Sequence, residues 1–143
     1  MIVSPALEPA GRTADPARLP VPGPPWSLRL ARGSGSRPAL EIYEDGTLLD
    51  VIVPSPLAPR LLRGARRSVR GGRRRSLAWG RLPADGPGPD GAVTVLFSRG
   101  RLRRGSYAAL VTGIGTWFWV AVADGWFDRV SVAFGHAVDG GRL

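Results

Sequence analysis

Thirteen of the chain's twenty arginines lie between Arg60 and Arg104, and there is no lysine anywhere. Only Asp85 and Asp90 oppose them within that segment, so its net charge is +11, while the rest of the chain sets seven arginines against nine acids. A locally basic belt of this kind attracts phosphate, anionic lipid or an acidic protein surface through long-range Coulomb steering. The candidate binding residues fall into two groups. Arg60, Arg63, Arg66, Arg67, Arg70, Arg73, Arg74 and Arg75 form the first, and Arg99, Arg101, Arg103 and Arg104 the second. Each phosphate such a face neutralised would release counterions and make affinity fall with salt. The bland alternative is a solvated charged face. An excess of Arg, Ala, Gly and Pro without Lys is what a GC-rich genome imposes, so only the clustering argues for a partner.

Other chemistry is scarce. With no Cys and one His, thiol catalysis, disulfides and a multi-histidine metal site are excluded within one chain. Asp124 and Asp128 are four residues apart, the outline of a paired-carboxylate site, but Asp124 is better explained by turn chemistry. His136 has no Ser or Asp partner in a recognisable context, and no Walker-type loop, dinucleotide fingerprint or metalloprotease motif occurs. The expectation is a non-enzymatic protein with no metal or cofactor. Trp117-Phe118-Trp119 with Trp126-Phe127 holds five of eleven aromatics, which could stack on bases if exposed but read better as core.

The elements that must position these residues read as mainly β. Twenty Gly and fourteen Pro argue for short strands and many turns. Residues 1–25 contain seven prolines and read as a disordered tail preceding a single domain over 26–143. Strands are expected at Trp26–Leu30, Ala39–Tyr43, Thr47–Val53, Ser76–Leu82, Ala92–Ser98, Tyr107–Thr112, Thr116–Ala123 and Trp126–Phe134, with Asp45-Gly46 and Asp124-Gly125 as hairpin turns. The fold expected is a small antiparallel β-sandwich or partly open barrel.

One helix is expected, at about 56–70. Ser55-Pro56 has the form of an N-terminal cap, and Gly71-Gly72 would stop the element. At helical spacing Ala58, Leu61, Leu62, Ala65 and Val69 share one face, with Arg60, Arg63, Arg66, Arg67 and Arg70 opposite. Gly64 weakens that helix by about 1 kcal/mol relative to Ala.

The uncharged run 106–123, preceded by four arginines, allows a second reading: a single membrane span with its basic end inside. Its β-branched and aromatic residues, and the turn-like Thr112–Thr116 centre, favour two strands instead. No secretory signal is visible, which with the absence of Cys fits a cytoplasmic location.

Leu77-Ala78-Trp79-Gly80, Val93-Thr94-Val95 with Gly100, Trp117–Val122, and Val130-Ser131-Val132 with Asp139-Gly140 follow one another in an order that resembles uncharacterised small proteins of high-GC actinobacteria. The likeness covers under half the chain. It implies a compact β-sandwich-like module and no activity. The loop at 83–91 is longer than that pattern has, which leaves the strand register beside it open. The functional expectation is thus an accessory protein docking an arginine face on an acidic protein or nucleic acid, with membrane attachment the alternative.

Overall fold

The structure, a computed structural model, describes residues 18–19, 22–32, 37–55, 60–83, 93–100, 105–135 and 137–143. These form twelve strands: β1 (Arg18–Leu19), β2 (Trp26–Arg32), β3 (Pro38–Glu44), β4 (Thr47–Ile52), β5 (Leu62–Arg70), β6 (Arg73–Arg81), β7 (Thr94–Ser98), β8 (Tyr107–Ala108), β9 (Leu110–Ile114), β10 (Phe118–Asp124), β11 (Arg129–Phe134) and β12 (Ala137–Arg142). They make three antiparallel sheets, ordered β1-β2-β3-β4, β5-β6-β10-β9 and β12-β11-β7-β8. The described part of the stretch read as a tail includes β1, which pairs with β2.

The second sheet lies between the other two, and its inner strands supply both cores. On one face Leu77 and Trp79 of β6 and Phe118 and Val120 of β10 pack with Trp26, Leu28, Leu40, Ile42 and Ile52 of the first sheet. On the other face Ala78, Trp119, Ala121 and Ala123 meet Val95, Phe97, Phe127, Val130 and Val132 of the third-sheet side. Burial of each large apolar side chain contributes about 1.5–3 kcal/mol.

A strand covered on both faces has no solvent side on which to place charge, so it reads as a continuous apolar run. The uncharged stretch 106–123 owes its β10 part to this, whereas its β8 and β9 part is largely exposed, with Leu110 at 75%, and the helical span is not seen. Its residues form β8, β9 and β10, with Gly115-Thr116-Trp117 as the turn before β10. Among the described residues no helix is long and apolar enough to cross a membrane.

The third and second sheets meet at both margins. Chain passes from β8 to β9 at Ala109, whose N–H donates to the Val95 carbonyl at 2.9 Å. At the opposite margin the Asp139 carboxylate accepts the Leu62 N–H at 3.0 Å, tying β12 to β5. The second core is thereby closed on both sides.

The expected helix is the principal correction. Residues 56–59 lie outside the described residues, and 62–70 form β5, not a helix. Gly71 and Gly72 have φ of +57° and +75°, the left-handed pair that a tight hairpin turn requires, and Arg70 faces Arg73 across it. The ladder slips between Leu62 and Gly64, and beyond it side chains alternate cleanly between the two faces. Gly64 has a packing role here: a Cβ would lie 2.4 Å from Cζ2 of Trp79. A helix would have buried only the Leu and Ala side of this segment. The strand completes the ladder to β6 and also delivers its arginines to carboxylates, so tertiary pairing outweighs local periodicity.

Candidate anion-docking surface

The β5–β6 hairpin has two faces of different character. Toward the first sheet it presents Arg63, Arg66, Arg70, Arg73 and Arg75, and carboxylates meet nearly all of them. Arg66 donates from Nε and Nη2 to Glu44 at 3.1 and 2.8 Å, and Glu44 also accepts from Trp26 Nε1 at 3.1 Å. Arg63 donates to Asp50 from Nε at 3.0 Å and Nη2 at 3.2 Å. Arg70 pairs with Asp45, and Arg73 donates to Asp124 at 3.0 Å. The acids of the β3–β4 hairpin thus clamp the first sheet onto the second.

Asp50 is the most embedded of these acids. Burial works to raise its pKa, but the hydrogen bonds from Arg63 and Trp79, with the Arg63 charge and the Val51 N–H, outweigh that and hold it below the ordinary carboxylate value. Trp79 Nε1 reaches it at 2.9 Å. The same pairings, chiefly their hydrogen bonds, raise the pKa values of Arg63 and Arg66. Arg75 differs: it is 12% exposed, donates to the Pro22 and Pro24 carbonyls at 2.8 Å each, and lies 5.7 Å from the Trp26 ring. Its desolvation, with the Arg73 charge beside it, lowers its pKa against the opposing pull of Asp124. It anchors the segment before β2.

The other face carries Arg67 and Val69 from β5 and Arg74 from β6, where Val69 and Arg74 are directly opposite. The loop between β10 and β11 sits against this face. Gly125 N–H donates to the Arg74 carbonyl at 2.8 Å, and Ser76 Oγ donates to the Gly125 carbonyl at 3.0 Å. From that loop Trp126 presents its ring to the Arg67 guanidinium, 4.2 Å away. The Trp126 carbonyl accepts Arg99 Nε at 2.7 Å, and the Arg99 guanidinium stacks 5.1 Å over Phe127. One residue therefore holds an arginine from each of the two sequence groups. Arg74 is exposed and has no carboxylate partner among the described residues, and Val69 beside it is 56% exposed.

The expected site residues thus separate. Arg63, Arg66, Arg70, Arg73 and Arg75 are engaged internally; Arg67 and Arg99 meet at Trp126, with exposed Arg74 on the same face of the hairpin; Arg60 is exposed just before β5. Arg101, Arg103 and Arg104 lie outside the described residues, as does His136. Asp124 and Asp128 form no catalytic pair: the first holds Arg73, and the second accepts the Gly100 N–H at 3.1 Å. Phe118, Trp119 and Phe127 are core, whereas Trp126 is half-buried and Trp117 is 40% exposed. Among the described residues no three His, Cys, Asp or Glu side chains come together as a metal site.

Compared with protein-family models, curated proteins and solved structures, the chain matches none.

Sequence reasoning missed one further group. Arg129 and Arg142 face each other across β11 and β12, in line with Ser98 of β7. Arg129 falls within the strand expected at Trp126–Phe134, but no strand is expected after Phe134, so nothing paired it with Arg142.

Proposed function

We propose that this is a non-enzymatic binding protein that docks a polyanionic partner, an acidic protein or a nucleic acid, on the surface formed by Arg67, Val69, Arg74, Arg99 and Trp126. The observation that carries this reading is Trp126 itself, which stacks under Arg67 and holds Arg99 through its carbonyl. Two basic groups distant in sequence meet on one aromatic platform. Arginine beside a half-buried aromatic and an exposed aliphatic side chain suits a partner that is both charged and partly apolar.

The internally paired arginines support the reading in a second way. Among the described residues the eight arginines between Arg60 and Arg75 pair with Glu44, Asp45, Asp50 and Asp124 alone, so the hairpin keeps a positive excess after pairing. The exposed pairs at its turn, Arg70–Asp45 and Arg73–Asp124, contribute about 0–1 kcal/mol each and yield readily to an incoming anion.

The test is binding of a short single-stranded oligonucleotide and of polyglutamate to the whole chain, measured by fluorescence anisotropy between about 50 and 200 mM salt. Affinity should fall steeply with salt, and Trp126→Ala should weaken it at every salt concentration. Binding no stronger than that of a scrambled peptide of equal charge overturns the proposal. Preference for one of the two polymers assigns the partner class.

A further inference from the structure

The outward face of the third sheet holds a second, separate collection of donors. Ser98, Arg129 and Arg142 are register partners across β7, β11 and β12, and Leu96, Ser131 and Gly140 form the neighbouring row. Together with Gly100, the two arginines, both serines and Gly140 line an open cleft of about 450 Å³. That is within the size range of small-molecule sites.

Two features separate this cleft from an ordinary solvated surface. Arg129 and Arg142 are like charges directly opposite one another in an antiparallel pair, an arrangement that destabilises a sheet unless something offsets it. No carboxylate among the described residues forms an ion pair with either, although Asp139 lines the cleft and Asp128 lies beside both arginines. Both nearby carboxylates are committed to backbone amides, Asp128 to Gly100 at 3.1 Å and Asp139 to Leu62 at 3.0 Å and Gly140 at 2.9 Å, and neither forms an ion pair with the two arginines. Ser98 lines the cleft beside them, and its hydroxyl, with no side-chain hydrogen-bond partner among the described residues, is available to a ligand.

We propose that this cleft binds a small phosphate monoester, with the phosphoryl oxygens held by Arg129, Arg142 and the Ser98 hydroxyl. Cross-strand partners stand about 4.5–5.5 Å apart at Cβ, a spacing from which two guanidinium forks converge on one tetrahedral group. A dianion between them turns the repulsive row into an attractive one. The ester's organic part lies along Ser131 and Gly140 toward Val138, an aliphatic side chain that is 71% exposed at the cleft's edge. This site is independent of the Trp126 surface, and the two proposals stand or fall on different variants.

The experiment is isothermal titration of the whole chain with inorganic phosphate and with a nucleoside 5′-monophosphate, at matched ionic strength, accompanied by thermal unfolding with and without each ligand. Both ligands should bind, the ester more tightly, and both should raise the melting temperature. Arg129→Met and Arg142→Met should each weaken binding about tenfold or more, the loss of a charge-assisted hydrogen bond. Ser98→Ala should weaken it severalfold. Arg32→Met, which removes the same charge from an exposed position on β2 outside both surfaces, should leave it unchanged. Without ligand the Arg142→Met protein should melt no lower than the parent, because its removal relieves the like-charge contact, so folding does not confound the result. Equal losses for Arg142→Met and Arg32→Met, an ester no tighter than inorganic phosphate, or no binding by the parent protein would each overturn the proposal.

Discussion

Asp50 ties the arginine hairpin to the first sheet, and its replacement separates two kinds of stabilisation. The carboxylate accepts from Trp79 Nε1 at 2.9 Å and from Arg63 at 3.0 Å, with side-chain exposures of 17% for Asp50 and 45% for Arg63. Asp50→Ala leaves the indole N–H of Trp79, a residue only 5% exposed, without an acceptor. That orphaned donor costs about 1–3 kcal/mol. Arg63 remains free to solvate, so losing its half-exposed ion pair adds only about 0–1 kcal/mol. The total expected is about 1–4 kcal/mol. Asp50→Asn keeps an acceptor for Trp79 while removing the charge, and should cost about 1 kcal/mol. Urea unfolding of both variants, and of each in a Trp79→Phe background, isolates the indole contribution as a coupling energy. In that background Asp50→Ala should lose most of its excess over Asp50→Asn. Equal costs for the two substitutions, or no coupling to Trp79, would refute the reasoning.

Three other outcomes follow from the same contacts. Gly80→Ala should cost about 3 kcal/mol in urea unfolding, since the new Cβ would meet the Leu61 carbonyl at 1.8 Å and the Trp119 ring at 2.7 Å, and would break the 3.0 Å hydrogen bond from Trp119 Nε1 to Leu61. Gly113→Ala, with nothing within 4 Å of its Cβ position, is the control and should be near neutral. Asp50 has its pKa lowered in the folded state, so its contribution is full above the ordinary carboxylate value of 3.8 and is lost as pH falls through the depressed folded value. Asp50→Asn should therefore flatten part of the acid limb of a stability–pH curve measured by urea unfolding. Asp45→Asn frees Arg70 and removes a negative charge beside the hairpin turn, so it should tighten oligonucleotide binding in the anisotropy assay.

The strands most legible in the sequence were those with one buried face or a clear turn. Asp45-Gly46 closes the β3–β4 hairpin, with φ of +49° and +81°, and the alternation of Val130, Val132 and Phe134 matches β11. The apolar run 106–123 was ambiguous for a physical reason: β10 is covered on both faces, and its alternation serves two cores and not core against water. Residues 56–70 misled for the opposite reason. Arginine at helical spacing and arginine reaching across a sheet gap to Glu44 and Asp50 give the same one-dimensional pattern, and only the acids 13 to 22 residues away distinguish them. The candidate site was visible as a cluster of arginines but not as a division of labour. Which guanidinium pairs internally depends on the packing of the first sheet on the second, and local spacing does not encode it. Arg129 and Arg142 were hidden because β12, rich in Gly and exposed along much of its length, has almost no hydrophobic signature.

The central claim is that division: Arg63 and Arg66 hold the fold together, while Arg67 and Arg74 meet the partner. Measuring both urea stability and the salt slope of oligonucleotide binding for Arg63→Gln/Arg66→Gln and for Arg67→Gln/Arg74→Gln tests it in one crossed comparison. The account predicts that the first pair loses about 1–2 kcal/mol of stability and keeps its slope. The second pair should keep its stability within about 1 kcal/mol and lose about 0.7 of slope per phosphate contact removed. Equal loss of slope in both double variants would contradict the account, because it would mean that the belt binds as undivided charge.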